Sequence, residues 1–479
     1  MQVRDKFYIG GEWVDPAGSG KVEVFSPHDG AHIGTVPEAV PADMDRAVAA
    51  ARTAFDGGEW SNTSPHDRAD LMAKINEGIN ARIDDFAQTI SSENGCPITW
   101  GTMGQVLAPS MVLNYFTELT REFAFENRHV GALGLPVVVR REPVGVAVGI
   151  IPWNVPLFIT MLKMAPALAS GSTLVIKPAP ETPLDAYLLA EVLDEAGVPP
   201  GVVNIVPAGR EVGQHLVTHG DVDKVSFTGS TAAGRKIAAL CGEQLKRVTL
   251  ELGGKSAAII LDDTDLAEAV PQLLPAAMMN NGQACVAQTR ILASRDRYDE
   301  VVDALVDAIG NLNVGDPLDP ATDIGPLVAE RQRERVEGYL DIGRDEGAKI
   351  AIGGGRPEGL DKGVYVEPTL FVGVDNTMRI AREEIFGPVV GVIPYDDVDD
   401  AVAIANDTDY GLSGSVYSAD VDTALDVARR VRTGTSTING FLLDFASPFG
   451  GFKDSGIGRE LGEDGLKAFL ETKSICLPG

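Results

Sequence analysis

Val144-Gly145-Val146-Ala147-Val148-Gly149-Ile150-Ile151-Pro152-Trp153-Asn154-Val155-Pro156 is the stretch on which the fold turns. Its first half is an apolar run without alternation, the pattern of a strand covered on both faces. Its second half is a turn pinned by two prolines, and an apolar helix, Val155–Ser170, comes next. Pro143 to Leu162 carries no charge and is long enough to span a bilayer. Pro152, Asn154 and Pro156 would break such a span at its centre, so the reading is strand, rigid turn and helix, with no membrane.

The alternation continues outward. Strand Thr173–Ile176, helix Thr182–Ala196 closed by Gly197, strand Val202–Val206, a short helix from about Arg210, strand Lys224–Phe227, helix Thr231–Cys241 and strand Arg247–Leu250 succeed one another. Short apolar strands alternating with helices specify an α/β fold with a parallel, doubly wound sheet, which binds ligands beyond the carboxyl ends of its strands. A second α/β series comprises a helix over 265–281, strand Arg290–Ala293, helix Tyr298–Leu312, a helix near Arg331–Glu346, strand Val389–Pro394, helices Val398–Asn406 and Val421–Arg430, and a strand near Gly434–Ile438. Before the opening stretch, helical spacing marks Ala39–Phe55 and Asp67–Glu93, and Gly131 to Pro143 reads as a β hairpin.

A chain of 479 residues has room for about three domains and a large core. Its net charge of −29 argues against nucleic acid or an anionic membrane as partner, because both would be repelled. Four cysteines in this length make no disulfide framework, and the first residues lack the apolar core of a signal peptide, so a cytoplasmic location is expected.

Cys285 stands apart from the other cysteines, in the polar, glycine-broken turn Asn280-Asn281-Gly282-Gln283-Ala284-Cys285. A thiol in a loop is a candidate nucleophile, whereas one on an apolar helix face, such as Cys241, is filler. Asn154, held between two prolines, offers an immobile amide donor of the kind an oxyanion needs, or else it satisfies its own turn. Glu251 projects from the strand face opposite Val248, Leu250 and Leu252; a carboxylate among apolar neighbours has the raised pKa of a general base, while a surface glutamate is the simpler alternative. Phe227-Thr228-Gly229-Ser230 lies at a strand-to-helix junction that suits a phosphate, although Ser230 taken alone is more simply a helix cap. Gly209 and Gly213 flank another helix start and are equally open. Lys177 follows strand Thr173–Ile176; a lone lysine there is usually solvated, although at the carboxyl end of a parallel strand it can meet a ribose or a phosphate. Two other glycine motifs are decoys. Gly456-Ile457-Gly458 has no suitable strand before it, and Gly254-Lys255-Ser256 has Thr249 where a phosphate loop needs glycine. The six histidines are scattered and no metal site is expected.

Together with Lys177-Pro178-Ala179, Glu384-Ile385-Phe386-Gly387-Pro388 and Pro448-Phe449-Gly450-Gly451, these motifs resemble, in order and over essentially the whole chain, the aldehyde dehydrogenase superfamily. The resemblance implies a Rossmann-like NAD-binding domain over 1–119 and 142–253, a catalytic domain over 254–455, and a β oligomerisation element in which 120–141 pairs with 456–479, giving homodimers or homotetramers. It implies that Cys285 is the nucleophile, Glu251 the base for the hydrolytic water and Asn154 the oxyanion donor. It places Lys177 and Glu384 on the two cofactor riboses, Gly229 and Ser230 at the pyrophosphate, and Phe386 beside the nicotinamide ribose. Ile151, Trp153, Gly209, Gly213, Phe227 and Leu252 fall at the same cofactor site. Many NAD-using relatives carry glutamate three residues after the lysine. Here Pro180 stands there and Glu181 comes after it, so NAD is expected, with NADP possible.

The expected reaction is oxidation of a small aldehyde to its acid. Val155, Phe158, Ile159, Leu162, Leu443 and Phe449 fall at channel positions and imply an apolar aliphatic or aromatic substrate. A CoA-acylating semialdehyde dehydrogenase is one alternative, opposed by Glu251, which such relatives generally lack. A catalytically retired binding homologue is another, opposed by the intact Cys285, Glu251 and Asn154.

Overall fold

Val146–Ile150 is buried at every residue. It runs parallel to Thr173–Lys177 on one side and to Lys224–Thr228 on the other. The computed structural model describes residues 1–478, and in them this strand sits near the middle of an eight-stranded sheet. Beyond Thr173–Lys177 come Val203–Ile205 and the antiparallel pair Phe7–Ile9 and Glu12–Val14; beyond Lys224–Thr228 come Arg247–Glu251 and antiparallel Gly456–Ile457. The chain steps away from Val146–Ile150 in one direction for two strands and then returns to fill the other side. The switch point therefore lies between Val146–Ile150 and Lys224–Thr228, and a crevice opens beyond their carboxyl ends. The turn at Ile151 to Val155 and the Gly229-Ser230 junction both leave the sheet there.

The helix after the first turn, Pro156–Ser170, has Pro156 in its first turn and left-handed Gly171 (φ +89°) at its end. All its residues are buried except half-buried Phe158, because it packs beneath the sheet and against the helix Ala108–Glu122. No helix among the described residues is long and apolar enough to cross a membrane.

A second, seven-stranded sheet runs in the order Lys349–Ile352, Thr369–Val372, Val389–Tyr395, Arg290–Ser294, Ala257–Ile260, Gly414–Tyr417 and Thr437–Ile438, all parallel but for the first. A three-stranded antiparallel sheet joins the hairpin Glu126–Val130 and Pro136–Pro143 to Leu470–Cys476, with Leu470 opposite Pro143 and Cys476 opposite Val137.

The structure corrects the sequence reading at several places. Asp67–Glu93 is two helices, Pro65–Asn80 and Ile83–Asn94. The helix expected over 265–281 ends at Met278 and gives way to a tight turn. Ala257–Ile260, Lys349–Ile352, Thr369–Val372 and Gly414–Tyr417 are strands that the periodicity does not show. Gly456–Ile457 pairs with Arg247–Glu251 in the first sheet, not with the hairpin.

Arg290 clamps the second sheet from within. Its buried guanidinium donates to Lys255 O (2.9 Å), Asn376 Oδ1 (2.9 Å), Ile404 O (2.9 Å) and Ala405 O (3.0 Å). Arg290→Met would leave four acceptors without their donor, and we expect a loss of about 3 kcal/mol or more, read as a lowered urea midpoint. An unchanged midpoint would show that the clamp carries no stability.

Candidate active site

Helix Leu266–Met278 runs into three consecutive left-handed residues, Asn280 (φ +52°), Asn281 (φ +60°) and Gly282 (φ +72°). Asparagine and glycine are the residues that tolerate this conformation. At Gly282 there is no other choice, since a Cβ would lie 2.0 Å from Gly387 O. Asn281 pins the turn by donating to Gly95 O (2.9 Å) and Pro326 O (2.8 Å) and accepting from Gly325 N (2.7 Å). Cys285 leaves this turn with some solvent access. Burial, then Glu384 and Glu251, push its thiol up to about 12.

Asn154 is buried, and its side-chain Nδ2 donates to Gln283 O at 2.8 Å, two residues before Cys285. An amide nitrogen carries two N–H bonds, and the second has no acceptor among the described residues. Glu251, at the end of its strand, is buried with neither carboxylate oxygen partnered. Burial and then Glu460 hold its pKa well above the usual carboxylate range, while Lys163 and Arg459 oppose them. Gly450 (φ +154°) lays backbone against it: a Cβ there would stand 2.6 Å from Glu251 Oε1.

The cofactor candidates line the crevice. Ser230 caps helix Thr231–Glu243 by accepting from Ala233 N at 3.4 Å, which leaves the Thr231 and Ala232 N–H groups free as first-turn donors. Gly229 allows close approach, since a Cβ would meet the Phe227 ring at 2.6 Å, and its N–H donates to Glu251 O at 3.0 Å. Leu252 packs against Gly234 of that helix. Ile151 N donates to Lys177 O (3.0 Å), and Lys177 Nζ donates to Ala208 O (2.7 Å) and Pro178 O (3.1 Å) beside Gly213, one turn into the helix that Gly209 caps. Burial lowers Lys177 to about 8, with Glu181 opposing. Glu384 accepts from Gly254 N at 3.0 Å. Gly254 in turn lies against the Cys285 carbonyl, and Trp153 meets Phe386 edge-on at 5.4 Å. Free first-turn N–H groups over a glycine suit a pyrophosphate, and an ammonium with a carboxylate suits sugar hydroxyls, so these residues fit a dinucleotide. Glu181 is turned to Arg331 at 2.6 Å.

Sequence reasoning missed the polar cluster behind Glu251. Lys163 Nζ donates to Glu460 Oε1 (2.7 Å) and Thr228 Oγ1 (2.8 Å), and Ser226 Oγ donates to the same Glu460 oxygen (3.1 Å). The signal was present: Lys163 is the one charge in Pro156–Ser170. Of the channel positions, Ile159, Leu162 and Phe449 are buried in the core, whereas Val155, Phe158 and Leu443 keep open surface and Phe158 lies 6.4 Å from Phe445.

Residues 13–475 match the sequence profile of the Aldehyde dehydrogenase family. The chain belongs to that family. As a member it is an NAD(P)-dependent aldehyde oxidoreductase. It is 46% identical over 472 residues to a geranial dehydrogenase of Castellaniella defragrans, covering 98% of each chain. With a 3-succinoylsemialdehyde-pyridine dehydrogenase of a Pseudomonas species it shares 44% identity over 479 residues, covering 99% of each. Its structure is similar to that of a Mycobacterium tuberculosis aldehyde dehydrogenase complexed with NAD+, with a TM-score of 0.98 and 50% identity over 100% of this chain and 99% of that one. It is also similar to a cysteine-to-alanine mutant of aldehyde dehydrogenase C from Pseudomonas syringae holding NAD+ and octanal, with a TM-score of 0.95 and 43% identity over 98% and 96%.

The electrostatics of the Cys285 thiol and of Glu251 have measurable consequences. Because the Cys285 thiol is held up, alkylation by iodoacetamide in cofactor-free protein should keep accelerating past about pH 9; a plateau near the ordinary thiol value of about 8.5 would contradict it. Lys163 holds the Glu251 pKa down, so Lys163→Met should move the acidic limb of kcat to higher pH, since Glu251 can accept a proton only above its pKa. The same variant should lower stability by about 3–5 kcal/mol, because Glu460 loses its buried partner. A limb that stays in place or moves to lower pH would remove Lys163 from the electrostatics of Glu251.

Proposed function

We propose that this protein oxidises apolar aldehydes to carboxylic acids with NAD, through a thioester on Cys285. The observation that carries the reading is the convergence of the Cys285 turn, an Asn154 amide with one uncommitted N–H, and a buried Glu251 whose two oxygens are unpartnered. Each group has the valence that its step requires.

The thiol must first lose its proton, and Glu251, with a pKa well above the usual range, is the nearby acceptor. The thiolate adds to the aldehyde carbonyl, forming a C–S bond and an oxyanion. The free N–H of Asn154 and the Cys285 backbone N–H are fixed donors for that oxygen, and they need not reorient as charge develops. NAD, when bound, supplies the acceptor for the hydride leaving the same carbon. Lys177, Glu384 and the Gly229-Ser230 junction hold its sugars and pyrophosphate, with Ile151, Trp153, Gly209, Gly213, Phe227, Leu252 and Phe386 shaping the walls. Glu251 passes that first proton to solvent, and its restored carboxylate takes a proton from water as that water attacks the thioester; the departing Cys285 thiolate takes this second proton back. The acid departs and the thiol is restored.

The preference for apolar substrates is supported by Val155, Phe158 and Leu443 at the open end, with Phe441 and Phe445 beside them. A relative that holds octanal and another named for geranial agree with this. Glu181 favours NAD over NADP by repelling an added phosphate, although Arg331 offsets part of its charge. By the family resemblance, the hairpin sheet that includes Leu470–Cys476 serves homodimer or homotetramer formation, and the first and second sheets belong to the NAD-binding and catalytic domains.

The deciding experiment is an aldehyde panel including octanal, benzaldehyde and succinic semialdehyde, with NAD or NADP and with or without CoA. Octanal and benzaldehyde should give NADH and free acid, and Cys285→Ala should give none. Acyl-CoA as product, or full activity in Cys285→Ala, would overturn the mechanism. Turnover of succinic semialdehyde alone would overturn the substrate class.

A further inference from the structure

The main-chain carbonyl of Asn154 receives three side-chain amides from three distant parts of the chain. Asn94 Nδ2 lies 2.9 Å from it, Gln105 Nε2 2.9 Å and Asn280 Nδ2 2.8 Å. A carbonyl oxygen has two lone pairs, so three donors exceed its ordinary complement. All three residues are buried. The arrangement has a cost elsewhere, because Gln105 Oε1 and Asn280 Oδ1 are left buried without a partner. Apolar side chains would fill the same space without that cost, and packing alone does not account for the triad.

The backbone is also bent to supply it. Between the helices Ile98–Thr102 and Ala108–Glu122, residues Met103–Leu107 form a π turn. One extra residue in a turn rotates the succeeding residues by about 100° relative to a regular helix. Within this turn Met103 faces solvent and Gln105 is fully buried against Asn154. Asn280 sits in the left-handed turn before Cys285, and its Nδ2 also reaches Gln283 O at 3.2 Å. That carbonyl is the one that takes the Asn154 side chain. Asn280 therefore ties the thiol's turn and the amide's turn to each other.

We propose that Gln105, Asn94 and Asn280 are positioning residues that clamp the Asn154 peptide and so aim its side-chain N–H at the oxygen of the reacting aldehyde. The proposal rests on Asn154 being the oxyanion donor. The triad touches no substrate. It fixes the peptide plane from which the Asn154 side chain projects, and its effect is confined to the step in which negative charge develops.

The test is a double-mutant cycle read by the single-turnover burst of NADH with octanal and NAD. Gln105→Met keeps the volume and removes the donor. It should slow the burst about ten- to a hundredfold while leaving NAD affinity and Tm close to wild type. In an Asn154→Ala background the same substitution should cost nothing further, because there is no amide left to aim. An equal loss in both backgrounds would mean a structural role only and would overturn the proposal, as would a silent Gln105→Met in the wild-type background. Should Gln105→Met not fold, Asn280→Gly, which keeps the left-handed backbone, runs the same cycle with the same expected outcomes. Asn154→Ala alone separates the two readings: an unchanged burst there would overturn the oxyanion assignment and the triad with it, while a slowed burst combined with additive Gln105→Met would overturn only the triad.

Discussion

Three left-handed residues in a row, Asn280, Asn281 and Gly282, are the constraint to which the rest of the site is fitted. Such a run is unfavourable in isolation, and it persists because its surroundings over-determine it. Asn281 is bonded to Gly95, Pro326 and Gly325, Asn280 to Asn154 and Gln283, and Gly282 is pressed on Gly387. The contacts come from the end of helix Ile83–Asn94, from the loop before helix Glu330–Asp345, from the Glu384–Pro388 stretch and from the turn after strand Val146–Ile150. A chain that satisfied the two sheets but not this turn would leave Cys285 displaced from every group that acts with it.

The second constraint is electrostatic. Glu251 faces Glu460, Cys285 feels both Glu251 and Glu384, and Lys163 is the directly bonded counter-charge of Glu460. Burying carboxylates without full hydrogen bonding is costly, and the cost appears as raised proton affinity. For Glu251 burial and the neighbouring Glu460 favour the protonated form. For Cys285 the same field is adverse, and it keeps the thiol protonated until something at the site accepts the proton. One set of buried charges thus raises the proton affinity of both Glu251 and Cys285.

Much of the frame was legible because its signals are local. Val146–Ile150 and Thr173–Lys177 carry apolar runs and are buried at every position, and Gly171 and Gly197 mark the ends of their helices by left-handed caps. The single helix read over Asp67–Glu93 failed for a physical reason: Ile79, Ile83 and Phe86 keep the apolar spacing across the break at Ala81-Arg82, so periodicity does not register it. Ala257–Ile260 and Gly414–Tyr417 are short and wholly buried, with no alternation to betray them. Cys285, Glu251 and Asn154 stood out by local setting and were grouped by the family resemblance. Asn94 and Gln105 could not be found that way, since a π turn leaves no compositional mark and their partner is 60 and 49 residues away. Lys163 could have been found, as an isolated charge in an apolar helix.

The strand Leu470–Cys476 lies alongside Pro136–Pro143, more than three hundred positions earlier in the sequence, and Gly450 and Gly456 close over Glu251 from the same late part of the chain. During synthesis from the amino end, the strands of the first sheet up to Arg247–Glu251 can assemble early, and the turn bearing Cys285 emerges well before the segment that walls in Glu251. Loop closure over so long a separation comes late in folding. A nascent chain therefore holds a cysteine with no finished pocket around it, and the pocket is complete only when residues 450–476 dock. Residues 450–476 are thus the keystone of its chemistry.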